Sequence, residues 1–245
     1  IYSRITLRKD ISMDFKEFKK VCSYHHLDIT SELYDKLEIY AEYLVEYNQK
    51  VNLTAITEHR DIYIKHFLDS LMPLIYVDIP QGATLIDVGT GAGFPSIPIK
   101  LYRPDIKLTL LDSLNKRIVF LESLCSKLKI DVECVHGRAE DFGKDDCYRE
   151  RFDFATARAV ANLQMLSEYC IPFVKVGGSF IAMKGLSEDI EASNNAIRTL
   201  GGKLVNDATY TIPPEDNRRI IVIEKISNTP KKYPRISGKI KSKPL

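Results

Sequence analysis

The sequence predicts an α/β fold of the doubly wound type, with a mostly parallel seven-stranded sheet preceded by a cap of helices. From Gly82 onward, short apolar and β-branched runs alternate with stretches of helical spacing. Strands separated by helices form parallel sheets that are covered on both faces. Before Gly82, apolar residues recur at helical spacing instead. In such a fold, ligands bind beyond the carboxyl ends of the strands, where the strand order switches.

Three helical segments are expected in the cap, which we assign to residues 13–80. The stretch MDFKEFKKVCSYHH indicates a short helix, and a later helical pattern covers roughly residues 61–74. Between them, five apolar residues repeat at helical spacing with charges in between: Leu33, Leu37, Tyr40, Leu44 and Tyr47. Residues 1–12 lack strong periodicity and are left outside the fold as an extension or a cloning remnant.

The α/β domain is assigned to residues 81–226, and six of its seven strands can be placed. They are expected at residues 84–88, 107–112, 132–136, 152–157, 179–184 and 220–226. Helices are expected between them at residues 96–102, 115–127, 163–170 and 188–200. Several of the strands end in acids or turn residues, which parallel pairing brings together at one edge of the sheet.

Composition excludes several classes of protein. The hydrophobic fraction of 44% and the charged fraction of 28% are those of a globular protein. No apolar run approaches the ~20 residues of a membrane span, so no membrane partner is expected. The five cysteines show no CxxC spacing, which favours neither a disulfide framework nor a metal site. Without an export signal or paired cysteines we expect a cytoplasmic protein, and we expect a monomer because nothing in the sequence suggests an obligate interface.

The basic C-terminal tail, residues 227–245, stands out against this background. From Lys225 to the end the chain carries seven basic residues and no acid, although its net charge is only +2. The rest of the chain is therefore mildly acidic. Two interpretations remain open, a contact with a polyanionic partner or a solvated terminus without structure.

A glycine-rich turn follows the first strand, in the sequence DVGTGAG at residues 87–93. Glycine permits positive φ and lets the backbone approach a ligand, so Gly89 and Gly91 are candidate binding residues. A dinucleotide fingerprint needs glycine or alanine at its sixth position, which here is Phe94 or Ser96. The pattern D-x-G-x-G-x-G instead resembles the first motif of class I S-adenosylmethionine-dependent methyltransferases. A tight turn without a ligand is the alternative.

Two later strand ends support the same ligand. Asp112 ends the second strand, where a carboxylate can accept hydrogen bonds from ribose hydroxyls. The alternatives for Asp112 are a solvated turn acid or the N-cap of the next helix. After the third strand, Ala139 and Glu140 stand where they can contact an adenine. Three strand ends in order predict S-adenosylmethionine as the cofactor.

Longer motifs carry a more specific resemblance between residues 48 and 235. They are NQKVNLTAI, HFLDSL, DVGTGAGFPSIPIK, DSLNKR, GRAE, ATARAVA, GG at 177–178 and KKYPR. Together they resemble the bacterial small-subunit ribosomal RNA guanine-N7 methyltransferases, the RsmG or GidB family. The resemblance implies a class I, Rossmann-like methyltransferase that modifies a guanine in the 530 loop of 16S ribosomal RNA. It implies cofactor contacts from Gly89, Phe94, Ala139, Glu140 and Arg158.

The chemistry of an N7 acceptor agrees with the residues. Guanine N7 carries a lone pair and no proton, so methyl transfer demands alignment and charge stabilisation rather than a general base. Arg158, after the fourth strand, is the candidate catalytic residue. Its guanidinium can bind the methionine carboxylate or donate to guanine O6, whereas a bidentate O6/N7 contact would block the nucleophile. A purely structural pair with an acid such as Glu140 is the third interpretation.

The RNA partner, as free 16S RNA or the small ribosomal subunit, requires cations for its phosphates. Nine candidate cations stand near the expected cofactor edge or in the tail: Lys100, Lys116, Arg117, Lys184, Arg218, Arg219, Lys231, Lys232 and Arg235. Each of them, taken alone, can also be an ordinary surface charge.

Two other functions remain as alternatives. A nicotinamide-dependent oxidoreductase is disfavoured by the missing third glycine. A non-enzymatic RNA-binding assembly factor is disfavoured by Gly89, Asp112 and Glu140, which a scaffold does not need. We expect His66 to be packed or hydrogen-bonded, since Ser70 at i+4 is no metal ligand, and we predict no metal.

Overall fold

The computed structural model describes residues 12–158 and 161–245, and residues 1–11 of the expected extension lie outside this range. The strands of this part are β1 Thr84–Val88, β2 Lys107–Asp112, β3 Glu133–His136, β4 Phe152–Arg158, β5 Val174–Gly185, β6 Gly202–Ile212 and β7 Asp216–Lys225. They form a seven-stranded sheet in the order β3-β2-β1-β4-β5-β7-β6. Strands β1 to β5 are parallel, and β7 runs antiparallel between β5 and β6. The predicted doubly wound α/β fold is confirmed.

Helices precede, connect and follow the strands. Before the sheet lie α1 Phe15–Tyr24, α2 Ser31–Asn48, α3 His59–Asp61, α4 Asp69–Leu71 and α5 Pro73–Tyr76. The connecting and final helices are α6 Ser96–Tyr102, α7 Asn115–Leu128, α8 Ala139–Phe142, α9 Leu163–Cys170, α10 Asn194–Thr199 and α11 Ser237–Ser242. The first two helices begin at capping side chains, because Asp14 accepts from the Glu17 amide at 2.8 Å and Thr30 from the Leu33 amide at 3.1 Å.

Most predicted elements are present, and β1, β2, α6 and α9 have the predicted bounds. The strand that could not be placed is β6, an edge strand that pairs only with β7 and alternates exposed with buried residues. Such a strand lacks the continuous apolar run that identified the inner ones. The prediction of a helix over residues 188–200 is wrong for the first half of this range, where a 3₁₀ turn, Glu191–Ser193, leads into α10.

The third helical segment of the cap is not one continuous α-helix. Between α3 and α4 the chain forms a π-helical segment, Ile62–Leu68, in which the Asp69 amide donates to the Ile64 carbonyl. Six of its seven residues are buried. Single π-helical turns are rare and occur frequently at functional sites. This segment carries His66, which faces the carboxyl edge of the sheet.

The cap and the sheet share one hydrophobic core. Tyr40 and Phe67 from the cap belong to the same buried cluster as Phe120 of α7 and Leu85 of β1. The cap therefore buries its apolar side chains against the sheet and its covering helices. The division between residues 13–80 and 81–226 stays a prediction.

The basic tail is folded onto the other face of the sheet. Tyr233 and Ile240 are buried in the second cluster, together with Leu166 of α9. Arg235 binds the carboxylate of Glu168, which is 1% exposed, through Nε at 2.9 Å and Nη2 at 2.7 Å. The interpretation of the tail as a solvated terminus without structure is wrong, because its apolar residues and Arg235 are used for internal packing.

A buried carboxylate lies at the carboxyl end of β1. Asp87 pairs with neighbours in both β2 and β4 and is fully buried. Thr90 Oγ1 donates to its Oδ2 at 2.9 Å, whereas Oδ1 has no hydrogen-bond partner among the described residues. Burial disfavours the charged form and raises the pKa of Asp87 to about 7.

The raised pKa of Asp87 predicts that the free energy of unfolding depends on pH, and Asp87→Asn should remove this dependence. Between about pH 4 and pH 7 the folded protein binds more protons than the unfolded chain, whose carboxyl has its ordinary pKa. The free energy of unfolding of the wild-type protein should therefore fall relative to Asp87→Asn as the pH rises through this window. Urea unfolding without cofactor at several pH values measures the difference.

Asp153→Asn is the matched control. Although burial raises its pKa, hydrogen bonds from Lys175 and Thr84 lower the pKa of Asp153 to about 2. The difference between the wild-type protein and Asp153→Asn should stay constant above about pH 5. A constant difference for Asp87→Asn as well would show that its carboxyl titrates normally.

Candidate cofactor and acceptor site

The glycine turn between β1 and α6 has the backbone geometry that its sequence predicts. Gly89, Gly91 and Gly93 have φ values of 72°, 63° and 98°, in the left-handed region that favours glycine. The Gly89 amide donates to the carbonyl of Leu111 in β2 at 2.8 Å, and the Gly93 amide closes the turn onto Thr90 at 2.9 Å. The turn is thus fixed to the ends of two neighbouring strands.

Helix α2 of the cap supports this turn from outside. Tyr40 is fully buried, and its hydroxyl donates to the carbonyl of Ala92 at 2.5 Å. A Cβ on Gly93 would lie 2.8 Å from the Tyr40 hydroxyl and 2.6 Å from Cδ1 of Ile97. A larger residue at position 93 would therefore displace the cap as well as strain the backbone.

Phe94 is enclosed by side chains from three parts of the chain. Its ring stacks with Tyr40 at 5.1 Å and an interplanar angle of 10°, and with His66 at 4.3 Å and 18°. The guanidinium carbon of Arg158 lies 5.0 Å from the ring centroid. Phe94 is 6% exposed, so it forms part of the wall of the site.

Asp112 joins the end of β2 to the glycine turn. Its Oδ2 accepts from the Gly91 amide at 3.0 Å and from Arg117 Nη1 at 3.1 Å, and its Oδ1 accepts from the Leu114 amide at 2.9 Å. The two alternatives for Asp112 are wrong, because it is 2% exposed and the N-cap of α7 is Leu114. A ribose contact from Asp112 stays a prediction.

The residues after β3 reach the same edge of the sheet. Ala139 and Glu140 open the short helix α8, and Glu140 is 8% exposed. Its Oε1 lies 3.8 Å from Nη1 of Arg138. The Gly137 amide donates to the carbonyl of Asp112 at 3.0 Å. The structure therefore brings together the three strand ends that were selected from the sequence.

Arg158 ends β4 and connects the sheet to the cap. Its Nη1 donates to Asp69 Oδ2 at 2.8 Å and to the carbonyl of Lys65 at 3.2 Å. Its Nη2 lies 3.0 Å from His66 Nδ1. The acid that pairs with Arg158 is Asp69 and not Glu140, which was the expected partner in the structural interpretation.

Asp69 and His66 are both engaged by hydrogen bonds. Tyr210 donates to Asp69 Oδ1 at 2.6 Å, so both carboxylate oxygens are engaged. Burial and the charge of Arg158 lower the pKa of His66 to about 3, which leaves the ring neutral. Because Arg158 only donates, Nδ1 of His66 accepts, and Nε2–H donates to Thr54 Oγ1 at 2.9 Å. The prediction of a hydrogen-bonded His66 is confirmed.

Asp69 and Tyr210 were not among the predicted site residues, and the fold brings both to Arg158 from distant positions in the sequence. Asp69 stands in the quoted motif HFLDSL, and that was its only signal. Tyr210 lies in β6, the strand that could not be placed.

A cavity of about 160 Å³ adjoins Arg158 at the carboxyl edge. The residues that define its chemistry are Asp69, Arg158, Lys184, Glu188, Tyr210 and Arg218. Lys184 Nζ forms an ion pair with Glu188 Oε2 at 2.7 Å, and the Leu163 amide donates to Glu188 Oε1 at 2.6 Å. Both carboxylates of the cavity are therefore already engaged by groups of the protein.

Of the nine candidate RNA-binding cations, six are engaged by acceptors of the protein itself and three are exposed. Lys100 donates to the carbonyls of Pro104 and Ile106 at 2.8 and 2.7 Å. Five others pair with carboxylates: Arg117 with Asp112, Lys184 with Glu188, Arg218 with Asp216, Arg219 with Asp207 and Arg235 with Glu168. The remaining three are exposed: Lys116, Lys231 and Lys232.

The described part of the chain lacks two features of other kinds of protein, a membrane-spanning helix and a metal cluster. Over residues 12–158 and 161–245, no helix is both long and apolar enough to cross a membrane. In the same part of the chain, no three histidine, cysteine, aspartate or glutamate side chains are grouped so that they could hold a metal ion.

Known proteins resemble this chain along most of its length. Residues 33–213 match the family described as rRNA small subunit methyltransferase G, GidB. A protein of Lactobacillus acidophilus named Ribosomal RNA small subunit methyltransferase G is 48% identical over 239 residues, covering 95% of this chain and 100% of the relative. A protein of the same name from Alkaliphilus metalliredigens is 50% identical over 231 residues, covering 93% and 97%.

Solved structures share the fold at low sequence identity. TrmN from Thermus thermophilus superimposes with a TM-score of 0.52 at 15% identity, covering 65% of this chain and 48% of that one. The E81Q mutant of MtNAS gives a TM-score of 0.54 at 14% identity, covering 86% and 87%. These similarities concern the fold alone.

The relatives decide between the functions that the sequence left open. They are neither nicotinamide-dependent oxidoreductases nor scaffolds, and the predicted methyltransferase class is confirmed. The resemblance inferred from the motifs is confirmed as well, since those motifs lie largely within the matched region. The chain belongs to the rRNA small subunit methyltransferase G family.

Proposed function

We propose that this protein transfers a methyl group from S-adenosylmethionine to N7 of a guanine in the 530 loop of 16S ribosomal RNA. Family membership supports the methyl transfer, the cofactor and the ribosomal RNA substrate. We also propose that the protein acts as a monomer in the cytoplasm, on free RNA or on the small subunit. The observation that carries the choice of N7 is the engaged state of the potential bases around the cavity.

The carboxyl edge of β1, β2 and β3 fits S-adenosylmethionine. A Cβ on Gly91 would have only the Gly89 carbonyl oxygen beside it, at 4.0 Å, so the turn leaves room for a ligand. When bound, S-adenosylmethionine supplies an electrophilic methyl group on a sulfonium. We propose contacts to the methionine part, the ribose and the adenine from Gly89, Gly91, Phe94, Asp112, Ala139, Glu140 and Arg158.

The cavity beside Arg158 is the proposed acceptor site. Both carboxylate oxygens of Asp69 accept hydrogen bonds, those of Glu188 are engaged by one hydrogen bond and one ion pair, and His66 has donors or acceptors at both ring nitrogens. These side chains are therefore poorly suited to remove a proton from a substrate. Guanine N7 has no proton to lose, and it becomes cationic when methylated. The two carboxylates are suited to stabilise that developing positive charge.

Arg158 is suited to position the guanine. Asp69, Lys65 and His66 engage three of its five N–H groups, so two remain for a ligand. We propose that one of them donates to guanine O6 and leaves N7 free for attack. Because Asp69 balances its charge, Arg158 can stand beside a positively charged sulfonium with little repulsion.

The proposed function is tested with labelled S-adenosylmethionine and small ribosomal subunits from cells that lack this gene. Nuclease digestion and mass analysis should locate the label as 7-methylguanosine at one site in the 530 loop. Labelling of another base or position would refute the N7 and 530-loop assignment. Cofactor binding without any labelled RNA would place the substrate elsewhere.

The role of Arg158 is tested by Arg158→Lys, which keeps a cation beside Asp69 and so limits the loss of stability. The variant loses the fork that holds Lys65 and His66, and misplacement of reacting groups can lower a rate on the order of a hundredfold. We expect kcat to fall by about that factor, with a smaller rise in the KM for the cofactor, which Arg158 is also proposed to contact.

Arg103→Lys is the control, because Arg103 also binds a carboxylate, Asp105, and the carbonyls of Ile79 and Pro80. Its activity should stay normal. If Arg158→Lys instead raised only the KM for the cofactor and left kcat unchanged, Arg158 would be assigned to binding of the methionine carboxylate. Normal turnover would remove Arg158 from the mechanism.

Lys116 provides a test of RNA contact at the cofactor edge. It is exposed in the first turn of α7, shortly after Asp112. Lys116→Ala should reduce the slope of log K against log salt by about one, because one phosphate contact is lost. Lys203→Ala is the control, because Lys203 is exposed and lies opposite Glu224 in the register of β6 and β7, near the other end of the sheet. Equal slopes for both variants would show that Lys116 contacts no phosphate.

A further inference from the structure

Arg149 binds four backbone carbonyls with one guanidinium. Its Nη1 donates to the carbonyl oxygens of Gly143 and Tyr233, both at 2.8 Å. Its Nη2 donates to the carbonyl oxygens of Thr229 at 2.6 Å and Pro230 at 3.4 Å. A planar group with several fixed donors can hold such a set, whereas a lysine ammonium offers a single point of attachment.

These carbonyls belong to two segments that are distant in sequence. Gly143 follows α8 directly, and its amide donates to the carbonyl of Ala139, the first residue of that helix, at 2.8 Å. The other three carbonyls lie at residues 229–233, at the start of the tail. Pro234 packs onto the same glycine, since a Cβ on Gly143 would lie 3.0 Å from Pro234 Cγ. The end of α8 is therefore held by Arg149 and by the tail.

The tail has other anchors that do not involve Arg149. Arg235 binds Glu168 through its amide and its Nη2, both at 2.7 Å. At the start of the tail, the Thr229 amide donates to Glu150 Oε1 at 2.7 Å. Loss of Arg149 would leave these anchors in place. The hydrogen-bonded bridge from the tail to the end of α8 would be lost, and only the packing of Pro234 on Gly143 would still join the two.

We propose that Arg149 is a positioning residue that fixes α8, through the tail, at the place where the cofactor's adenine binds. This inference rests on the proposed function, in which Ala139 and Glu140 of α8 contact the adenine. A helix of four residues has almost no stability of its own, so its position depends on contacts from outside. Arg149 and Pro234 supply such contacts at its end.

The test is the kinetics of Arg149→Ala with the full-length protein and small ribosomal subunits. We expect the KM for S-adenosylmethionine to rise about tenfold, because a less well positioned α8 should weaken cofactor binding by the free energy of about one or two hydrogen bonds. The kcat at saturating cofactor and the KM for the subunits should stay unchanged. Arg149→Lys should restore part of the cofactor affinity.

Arg151→Ala is the matched control. Arg151 lies two residues away and donates to the carbonyl of Asp146 at 3.1 Å, outside α8 and the tail. Its cofactor KM should equal that of the wild-type protein. An unchanged cofactor KM in Arg149→Ala would overturn the inference, and so would a fall in kcat alone that follows a lower Tm. If the wild-type protein binds no S-adenosylmethionine, the proposed function fails instead.

Gly143→Ala decides the matter if Arg149→Ala does not fold. With φ of −66°, Gly143 accepts an alanine without backbone strain, and no hydrogen bond is lost. The new Cβ would press on Pro234 Cγ and on the Ala139 carbonyl, each at 3.0 Å, and should raise the cofactor KM. Gly238→Ala is the control, because its Cβ in α11 would meet nothing within 4 Å. Equal cofactor KM values for both variants would overturn the inference.

Discussion

The ion pair between Arg158 and Asp69 is the interaction on which the rest of the site depends. The two side chains are only 14% and 4% exposed, and a buried carboxylate is stable only when it is paired and hydrogen-bonded. Asp69 meets this condition through Arg158 and Tyr210. Removing one partner of such a pair costs about 3–5 kcal/mol. Because Arg158 ends β4 and Asp69 belongs to the cap, the pair fixes the cap to the carboxyl edge of the sheet.

Several features of the site follow from that connection. The charge of Arg158 helps to keep His66 neutral, so His66 can accept from the guanidinium and stack on Phe94. Phe94 in turn stacks with Tyr40, whose hydroxyl holds the glycine turn at Ala92. The cap therefore forms part of the wall of the site, and this explains why its core is continuous with that of the sheet.

The sequence predicted features whose causes are local. The glycine turn needs positive φ at three positions, and the inner strands are continuous apolar runs, so both could be recognised from short stretches. The partner of Arg158 could not, because Asp69 is 89 positions away in sequence and only the fold brings the two together. Strand β6, in which exposed residues alternate with buried or half-buried ones, and the π-helical segment Ile62–Leu68 likewise depend on neighbours that no local pattern reveals.

Some basic residues that the sequence suggests are exposed are buried or paired with carboxylates in the structure. Lys225 looked like the start of a solvated basic tail, yet it is 1% exposed and forms an ion pair with Glu150 at 3.1 Å, and burial lowers its pKa to about 8. Arg235 is neutralised by Glu168 in the same way. An arginine held by a carboxylate attracts phosphate weakly, because the field of the pair falls off faster than that of a single charge. We therefore expect RNA affinity to depend on the exposed candidates Lys116, Lys231 and Lys232, and selection of the target to depend on the fit of a splayed base into the cavity beside Arg158.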